Sequence, residues 1–193
     1  FDHKGVLTWN ERRQIVARLP VITEEKADSH TKEVFDAIKS KFGMVPNIFK
    51  GMANSSVTLD SYLKLDELIS KGAFTAMEQD IVRIVVSQYN NCRYWLAAHT
   101  GSLSGQGLTS QDIVDIRKGN ANDPKHAALI NYTIKVLETK GYVSDSDIEE
   151  FKNGGYSDAQ AAEVAVIIAQ KTLSNLFNHI NDTELDLPAA PEI

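Results

Sequence analysis

Apolar residues recur at intervals of three and four along most of this chain, and the strict alternation of a half-buried β-strand is scarce. A three-to-four repeat places apolar side chains on one face of a helix, whereas a strand needs a repeat of two. The pattern therefore predicts an all-α protein of about eight or nine helices.

Caps and stops divide this pattern into elements. Thr23 is predicted to open a helix that ends at Phe42. Another helix follows Thr75 and is interrupted at Asn90 and Asn91, because asparagine favours caps and turns over helix interiors. The other predicted helices are Ser56–Ser70, Cys92–Gly101, Leu108–Lys118, Asp123–Lys140, Ser144–Asn153 and Ser157–Asn178, with short candidates at Arg12–Arg18 and Ile48–Ala53.

Charge and hydropathy argue against two classes of partner. The 193 residues carry 20 Lys and Arg against 26 Asp and Glu, a net charge of −6, without a long basic run. Binding to phosphates needs clustered basic residues, so nucleic acid is not expected as a partner. No apolar run approaches the roughly 20 residues of a membrane-spanning helix, so no membrane association is expected either.

The single cysteine, Cys92, excludes an intramolecular disulfide and a cysteine-cluster metal site. A lone thiol suits a reducing cytosol, so we expect a cytoplasmic location. The histidines are scattered without an H-x₃-H or HExxH arrangement, and neither a metal nor a cofactor is expected. The first residue is Phe1 rather than methionine, which leaves open whether an upstream segment has been removed.

The length suits one domain over residues 1–193. A weak internal repeat suggests how it is divided: a half at 20–105 that carries the chemistry, a second helical half at 106–185, and an extended tail at 186–193. The segment TKGYVSDSDIEEFKNGG resembles QGLTSQDIVDIRKGN, and SDAQAAEVAVIIAQKTLSNLFN resembles TAMEQDIVRIVVSQYNNCRYW. Any two amphipathic helices resemble each other, so chance similarity remains the alternative.

The repeat makes a further prediction about which positions correspond. The aligned pairs are Glu163 with Asp80, Asn175 with Cys92, and Asn178 with Trp95. If the two halves pack together in this way, His179 comes close to the region of Cys92.

The stretch NNCRYWLAAHT concentrates the residues that suit chemistry. If Asn91 caps the helix, Cys92 lies in its first turn, where unpaired N–H groups and the helix dipole favour a thiolate. Trp95 and His99 follow at i+3 and i+7 on the same stripe. A reversal at the asparagines would bring Asp80 to His99, and the three groups would form a proton relay that ionises the thiol.

Each of these residues also has a purely structural interpretation. A lone cysteine among apolar helices, such as Cys92, is often an inert small hydrophobe. His99 would then bond a nearby carbonyl, and Asp80 would be a first-turn charge like Glu78 beside it. Trp95 would fill the core instead of forming an aromatic wall for a ligand.

The run MEQDIVRIVVSQYNNCRYWLAAHTGSL resembles the core signature of the AhpD-like/carboxymuconolactone decarboxylase superfamily. In that signature an acidic residue begins an apolar helix, an S-x-x-N-x-C-x-Y-C segment follows, and A-A-H-T closes it. The matching positions are Ser87, Asn90, Cys92, Tyr94, Ala97, Ala98, His99 and Thr100. FGMVPNIFKGMANS and NLFNHINDTELDLP resemble segments of the peroxidase-related branch. The resemblance covers roughly residues 20–190 and implies the all-α AhpD-like fold.

Two departures from the family pattern bear on activity. Trp95 stands where the family has the second cysteine of CxxC, the thiol that attacks peroxide in the thiol-peroxidase members, and Cys92 matches the resolving thiol. The family's glutamate is matched by the shorter Asp80, unless Glu78 replaces it from another face. The resemblance places Cys92, His99 and Asp80 in the catalytic role, and we expect Trp95, Tyr94 and Glu78 to line the substrate pocket.

Three functions remain open on this basis. The first is reduction of a hydroperoxide by Cys92 alone, with an external thiol as reductant. The second is a lyase of the carboxymuconolactone decarboxylase type, in which His99 and an acid handle a small carboxylated substrate. The third is a catalytically inactive oligomeric binding protein. The resemblance implies a homo-oligomer in each case.

Overall fold

The computed structural model describes residues 17–193. Across those residues the chain forms nine α-helices and no strand, which confirms the predicted all-α class. The helices are α1 (Ser29–Phe42), α2 (Asn47–Met52), α3 (Ser56–Ile69), α4 (Ala76–Tyr89), α5 (Arg93–Gly105), α6 (Ser110–Arg117), α7 (Pro124–Thr139), α8 (Asp145–Asn153) and α9 (Asp158–Asn181).

Helix α4 is the central element and packs against α5, α6, α7 and α9. Its start is fixed by a capping box: the Thr75 hydroxyl accepts the Glu78 N–H, and the Glu78 carboxylate accepts the Thr75 N–H. Ile81 and Ile84 are fully buried one turn later. Because its start is capped and its body is buried, α4 holds Asp80 in a fixed position.

The chain reverses between α4 and α5 at the paired asparagines, as the sequence predicts. Asn91 takes a left-handed conformation with φ of 54°, which asparagine tolerates better than most residues. The Cys92 N–H then donates to the Ser87 carbonyl at 2.8 Å. Helix α5 therefore runs back along α4 and places His99 opposite Asp80.

Helix α5 lies between two apolar clusters. Its residues Leu96 and Leu103 belong to the larger cluster, which surrounds α4 and includes side chains from α6 to α9. Cys92, Tyr94 and Trp95 belong to the second cluster, formed mainly by α1, α2 and α3. The motif in the sequence therefore sits at the boundary between the two clusters.

Two predicted boundaries differ from the structure by four residues or more. Helix α1 begins at Ser29 and is capped by Asp28, because Thr23 instead opens a turn in which its carbonyl accepts the Lys26 N–H. Helix α5 continues past Gly101 to Gly105, since that glycine keeps the helical hydrogen bonds. The expected helix at Arg12–Arg18 falls outside the described residues, apart from its last two, which are not helical.

Candidate functional site

The structure brings Asp80 of α4 and His99 of α5 into contact. Nδ1 of His99 lies 3.2 Å from Oδ1 of Asp80, and the two residues are only 5% and 6% exposed. Asp80 lies in the second turn of α4, and His99 lies in the second turn of the antiparallel α5. The reversal at Asn91 is thus the local structure that creates this pair.

Three further side chains hold the Asp80 carboxylate. Its Oδ2 accepts hydrogen bonds from the Ser102 hydroxyl at 2.5 Å and from the Gln106 amide at 2.7 Å. Nη1 of Arg83 lies 3.6 Å from Oδ1. Burial alone would raise the pKa of Asp80, but its hydrogen bonds with His99 and Ser102 and the charge of Arg83 hold that pKa well below its usual range. Asp80 is therefore a carboxylate at neutral pH.

His99 is a neutral imidazole at neutral pH. Burial lowers its pKa to about 4; the charge of Arg83, and that of Lys171 when this amine is protonated, act in the same direction, while Asp80 opposes them. Because the Asp80 carboxylate can only accept, Nδ1 of His99 carries the ring proton. Nε2 then keeps its lone pair, and it has no hydrogen-bond partner among the described residues. The arrangement presents an unoccupied proton acceptor.

Trp95 separates the imidazole from the thiol. Its ring stacks on that of His99, with centroids 5.2 Å apart and an interplanar angle of 17°. It also stacks on the ring of Tyr62, with centroids 5.8 Å apart. Cys92 lies one turn before Trp95 and His99 lies one turn after it. No hydrogen bond joins the Cys92 sulfur to either nitrogen of His99. The predicted three-member relay is therefore incomplete: carboxylate and imidazole are joined, and the thiol is not.

The expectation of an ionised Cys92 is also wrong. Cys92 is the N-cap of α5 and not a first-turn residue, and it is 1% exposed. Its sulfur accepts a hydrogen bond from the Asn178 amide at 3.6 Å and another from the backbone N–H of Trp95. Burial nevertheless raises the pKa of Cys92, and these donors and the nearby Lys171 only partly offset it. The resting group is a thiol.

Two of the expected pocket residues are engaged elsewhere. The Tyr94 hydroxyl donates to Asp186 of the C-terminal segment at 2.7 Å. Glu78 completes the cap of α4 and pairs with Lys125 at 2.8 Å, so it does not substitute for Asp80 beside His99. Of the three predicted pocket residues, only Trp95 lies against the imidazole.

Lys171 of α9 is the site residue that sequence reasoning missed. It is fully buried, and its Nζ lies 3.3 Å from the centroid of the Trp95 ring. Burial holds the pKa of Lys171 well below its usual value, and the charge of Arg83 lowers it further. One signal was present in the sequence: Lys171, Asn175 and Asn178 recur at i, i+4 and i+7 within an otherwise apolar helix.

Several buried polar atoms around these residues have no hydrogen-bond partner. Native proteins leave few such atoms, and water or a small polar molecule could satisfy them; the region that these atoms surround is called the chamber below. They come from α4, α5 and α9: Arg83 Nε, Trp95 Nε1, His99 Nε2, Thr100 Oγ1, Gln170 Oε1, Lys171 Nζ, both amide atoms of Asn175, and Asn178 Oδ1.

The remaining histidines of the described range lie outside this chamber. His30 bonds Asp60 at 3.0 Å, and His126 lies 3.7 Å from Asp123. His179 is exposed, so the expected approach to Cys92 does not occur. Over residues 17–193 no group of three or more His, Cys, Asp or Glu side chains could hold a metal ion. Within the same part of the chain, every helix is too short or too polar to cross a membrane.

Known proteins share both the fold and the motif. Residues 58–123, which include Asp80, Cys92 and His99, match the model of the Carboxymuconolactone decarboxylase family. The chain superposes with a TM-score of 0.81 on the alkylhydroperoxidase AhpD core of an uncharacterized peroxidase-related protein from Ralstonia eutropha JMP134, at 21% identity over 88% of this chain and 92% of that one. The nine described helices thus adopt the AhpD core fold, and the segment that carries Asp80, Cys92 and His99 is similar to the Carboxymuconolactone decarboxylase family.

Two further solved structures widen the range of relatives. An uncharacterized peroxidase-related protein from Silicibacter sp. TM1040 has a TM-score of 0.77 at 18% identity, over 92% of this chain and 94% of that chain. The debrominase Bmp8, in a cysteine-to-alanine variant bound to 2,3,4-tribromopyrrole, has a TM-score of 0.72 at 14% identity, over 88% and 91%. No protein of curated function matches the sequence.

Proposed function

We propose that the protein is an enzyme in which His99 moves a proton on a small organic substrate, as in the lyase interpretation of the sequence. The observation that carries this proposal is the neutral imidazole itself. Its Nδ1 is tied to Asp80 at 3.2 Å, and its Nε2 is buried without a partner beside other unpartnered polar atoms. A positioned base with an open acceptor nitrogen is what general base catalysis requires.

The side chains around His99 favour both steps of a proton transfer: uptake of a proton by Nε2 and its return to the substrate. When Nε2 takes a proton, the ring becomes a cation, and its hydrogen bond to Asp80 becomes an ion pair. The Trp95 ring at 5.2 Å adds cation–π stabilisation to the same state. Ser102 and Gln106 keep Asp80 in place as an acceptor. The protonated ring can then return the proton to the substrate.

The chamber suggests the shape of the substrate. Trp95 offers an aromatic wall that suits a flat or unsaturated molecule. The bound molecule in the debrominase Bmp8 structure, 2,3,4-tribromopyrrole, is a flat ring, and the family name refers to a lactone carrying a carboxyl group. We therefore propose a small, unsaturated or enolisable carbonyl compound, with carboxylated lactones among the first to be tried.

The proposal is tested with a panel of such lactones and keto acids in deuterated buffer, followed by NMR for proton exchange next to the carbonyl and for carbon dioxide release. The wild type is compared with His99→Gln and Cys92→Ser. We expect activity to survive Cys92→Ser and to fall at least about 100-fold in His99→Gln, the typical contribution of a general base. Equal activity in His99→Gln and the wild type would overturn the proposal.

Reduction of a hydroperoxide by Cys92 is the second candidate, and one feature of the sulfur favours it. Its two N–H donors, Asn178 and the Trp95 backbone, would stabilise a thiolate formed when the chamber opens. The thiolate would attack the terminal oxygen of the hydroperoxide, giving a sulfenic acid and an alcohol after one proton is taken up. An external thiol would then reduce the sulfenic acid and release water.

The same variants separate this candidate from the first. Labelling of Cys92 by a sulfenate probe after treatment with an organic hydroperoxide, together with peroxide consumption that Cys92→Ser abolishes, would support the peroxidase. A protein that consumes peroxide no faster than Cys92→Ser would exclude it. Inactivity of the wild type in both assays would favour the third interpretation, a catalytically inactive binding protein.

A further inference from the structure

Lys171 is a buried amine that the proton-transfer proposal does not use. It lies in the middle of α9 with no exposed surface, and its Nζ has no hydrogen-bond partner among the described residues. Lysine is rarely buried in this way unless it is paired. A fully buried, unpaired amine is costly to maintain, so it is a candidate for a functional group.

The burial of Lys171 favours a free amine over an ammonium ion, and the two aromatic ring faces beside Nζ oppose this only in part. Nζ lies 3.3 Å from the centroid of Trp95 and 5.8 Å from that of Tyr62, so two aromatic rings cover it. Arg83 is the nearest cation, and it is already paired with Asp66 at 2.9 Å. Burial and Arg83 both lower the pKa of Lys171. An uncharged lysine amine is a nucleophile toward carbonyl carbon.

Polar groups that could receive a carbonyl oxygen lie on the same face of α9. Asn175 is one turn after Lys171, is 1% exposed, and has no partner for either its amide oxygen or its amide nitrogen. Asn178 lies one turn further along; its amide nitrogen donates to the Cys92 sulfur, and its Oδ1 has no hydrogen-bond partner among the described residues. His99 shares the Trp95 ring with Lys171 as a stacking surface. The nucleophile and the amide groups therefore share one face of α9, and the nucleophile and the proton acceptor contact the same aromatic ring.

We propose that Lys171 condenses with a small aldehyde or ketone to form an imine, with His99 as the proton carrier. The amine nitrogen attacks the carbonyl carbon, and a proton passes from nitrogen to oxygen to give a carbinolamine. The carbinolamine loses its hydroxyl group as water, which leaves a C=N bond and changes no oxidation state. This inference rests on the proposed role of His99, and it narrows the substrate class to carbonyl compounds.

An imine at Lys171 would make the proton transfer at His99 easier. A protonated imine draws electrons from the neighbouring carbon more strongly than the parent carbonyl does, so a proton or a carboxyl group on that carbon leaves more readily. The amide nitrogen of Asn175 is placed to donate to the carbinolamine oxygen. Because the chamber is closed and lined by large rings, only small carbonyl compounds are expected to react.

The inference is tested by trapping the imine. Native protein is incubated at pH 7 with acetaldehyde or pyruvate and cyanoborohydride, and the modified lysines are located by peptide mass spectrometry over time. At this pH roughly one in 2,500 unperturbed lysine amines is unprotonated. We expect Lys171 to be modified at least about tenfold faster than Lys125, an exposed lysine whose Nζ also lies over an aromatic ring, at 4.9 Å from Tyr156.

Controls keep the result interpretable. Lys171→Met should lose the fast adduct, and Lys125→Met should keep it. A sample unfolded in urea shows that every lysine peptide can be labelled and detected. The inference is overturned if Lys171 stays unmodified in the native protein while Lys125 reacts, or if only the unfolded sample labels Lys171.

The trapping experiment tests the imine, the exchange assay tests the proton transfer at His99, and either can give a negative result without the other. A fast adduct on Lys171 without proton exchange in the wild type would support the imine and overturn the proposed function. Proton exchange that depends on His99, without an adduct on Lys171, would support the proposed function and overturn the imine.

Discussion

Replacing Lys171 with methionine should stabilise the protein at neutral pH and remove a pH dependence of its stability. The unfolded chain holds this amine at its ordinary pKa of 10.5, and burial places the pKa well below that value in the folded protein. Between these two pKa values the unfolded state binds one proton more than the folded state. Within that range the free energy of unfolding therefore rises with pH by about 1.4 kcal/mol per unit.

Methionine has a similar length and does not titrate, so the pH dependence that Lys171 adds to the free energy of unfolding disappears in Lys171→Met. Titrating groups far from Lys171 are common to both proteins and cancel in the difference, whereas Cys92 and His99 respond to the charge of Lys171. We expect the variant to be the more stable protein at pH 7, and its advantage to shrink by about 1.4 kcal/mol for each pH unit above the folded pKa of Lys171. Urea unfolding followed by far-UV circular dichroism at pH 7, 8 and 9 measures both quantities.

A matched control comes from Lys125, which also stacks on an aromatic ring but remains exposed. Lys125→Met should run parallel to the wild type over the same pH range, because an exposed ammonium group keeps its contact with water in the folded protein. If Lys171→Met also runs parallel to the wild type, the amine is charged in the folded protein. That outcome would refute the argument for a free amine.

Three further predictions concern the neighbouring groups. The imidazole of His99 should titrate by NMR with a midpoint near pH 4. The free energy of unfolding should fall by about 3 kcal/mol as the pH drops from 6.5 to 4, because over most of that range only the unfolded chain protonates this imidazole. A midpoint above 6 would contradict this. Asp80→Asn should lower the pKa of His99 further, since the carboxylate is the group that favours the imidazolium; an upward shift in the same titration would refute the ion-pair argument. Cys92 should resist iodoacetamide at pH 8 in the native protein and react fully in urea, and fast native labelling would show that the chamber is open.

Those features of the fold that depend on local signals could be predicted from the sequence. The Thr75 cap, the reversal at Asn91 and the approach of Asp80 to His99 all follow from residues close together in the chain. The start of α1 was misplaced because Thr23 and Asp28 are both competent caps, and propensity alone does not choose between them.

The features that depend on distant parts of the chain could not be predicted. The state of Cys92 is decided by its burial beneath α9, whose Asn178 lies 86 residues further along the chain, and burial outweighs the helix-end effect that the local sequence suggested. Lys171 reaches Trp95 only because α9 packs across α3 and α4. Its periodic polar neighbours were visible in the sequence, but nothing local distinguishes a buried polar stripe from a solvated one.

The C-terminal segment has a consequence for synthesis on the ribosome. Asp186 accepts the backbone N–H of Asn47 at 2.6 Å and the Tyr94 hydroxyl at 2.7 Å, so it serves the start of α2, which has no side-chain cap of its own. When α2 and α5 have left the ribosome but residue 186 has not, the second apolar cluster therefore still lacks the hydrogen bonds that Asp186 makes with Asn47 and Tyr94. The chamber around Trp95 can close only after α9 and the segment that carries Asp186 have left the exit tunnel.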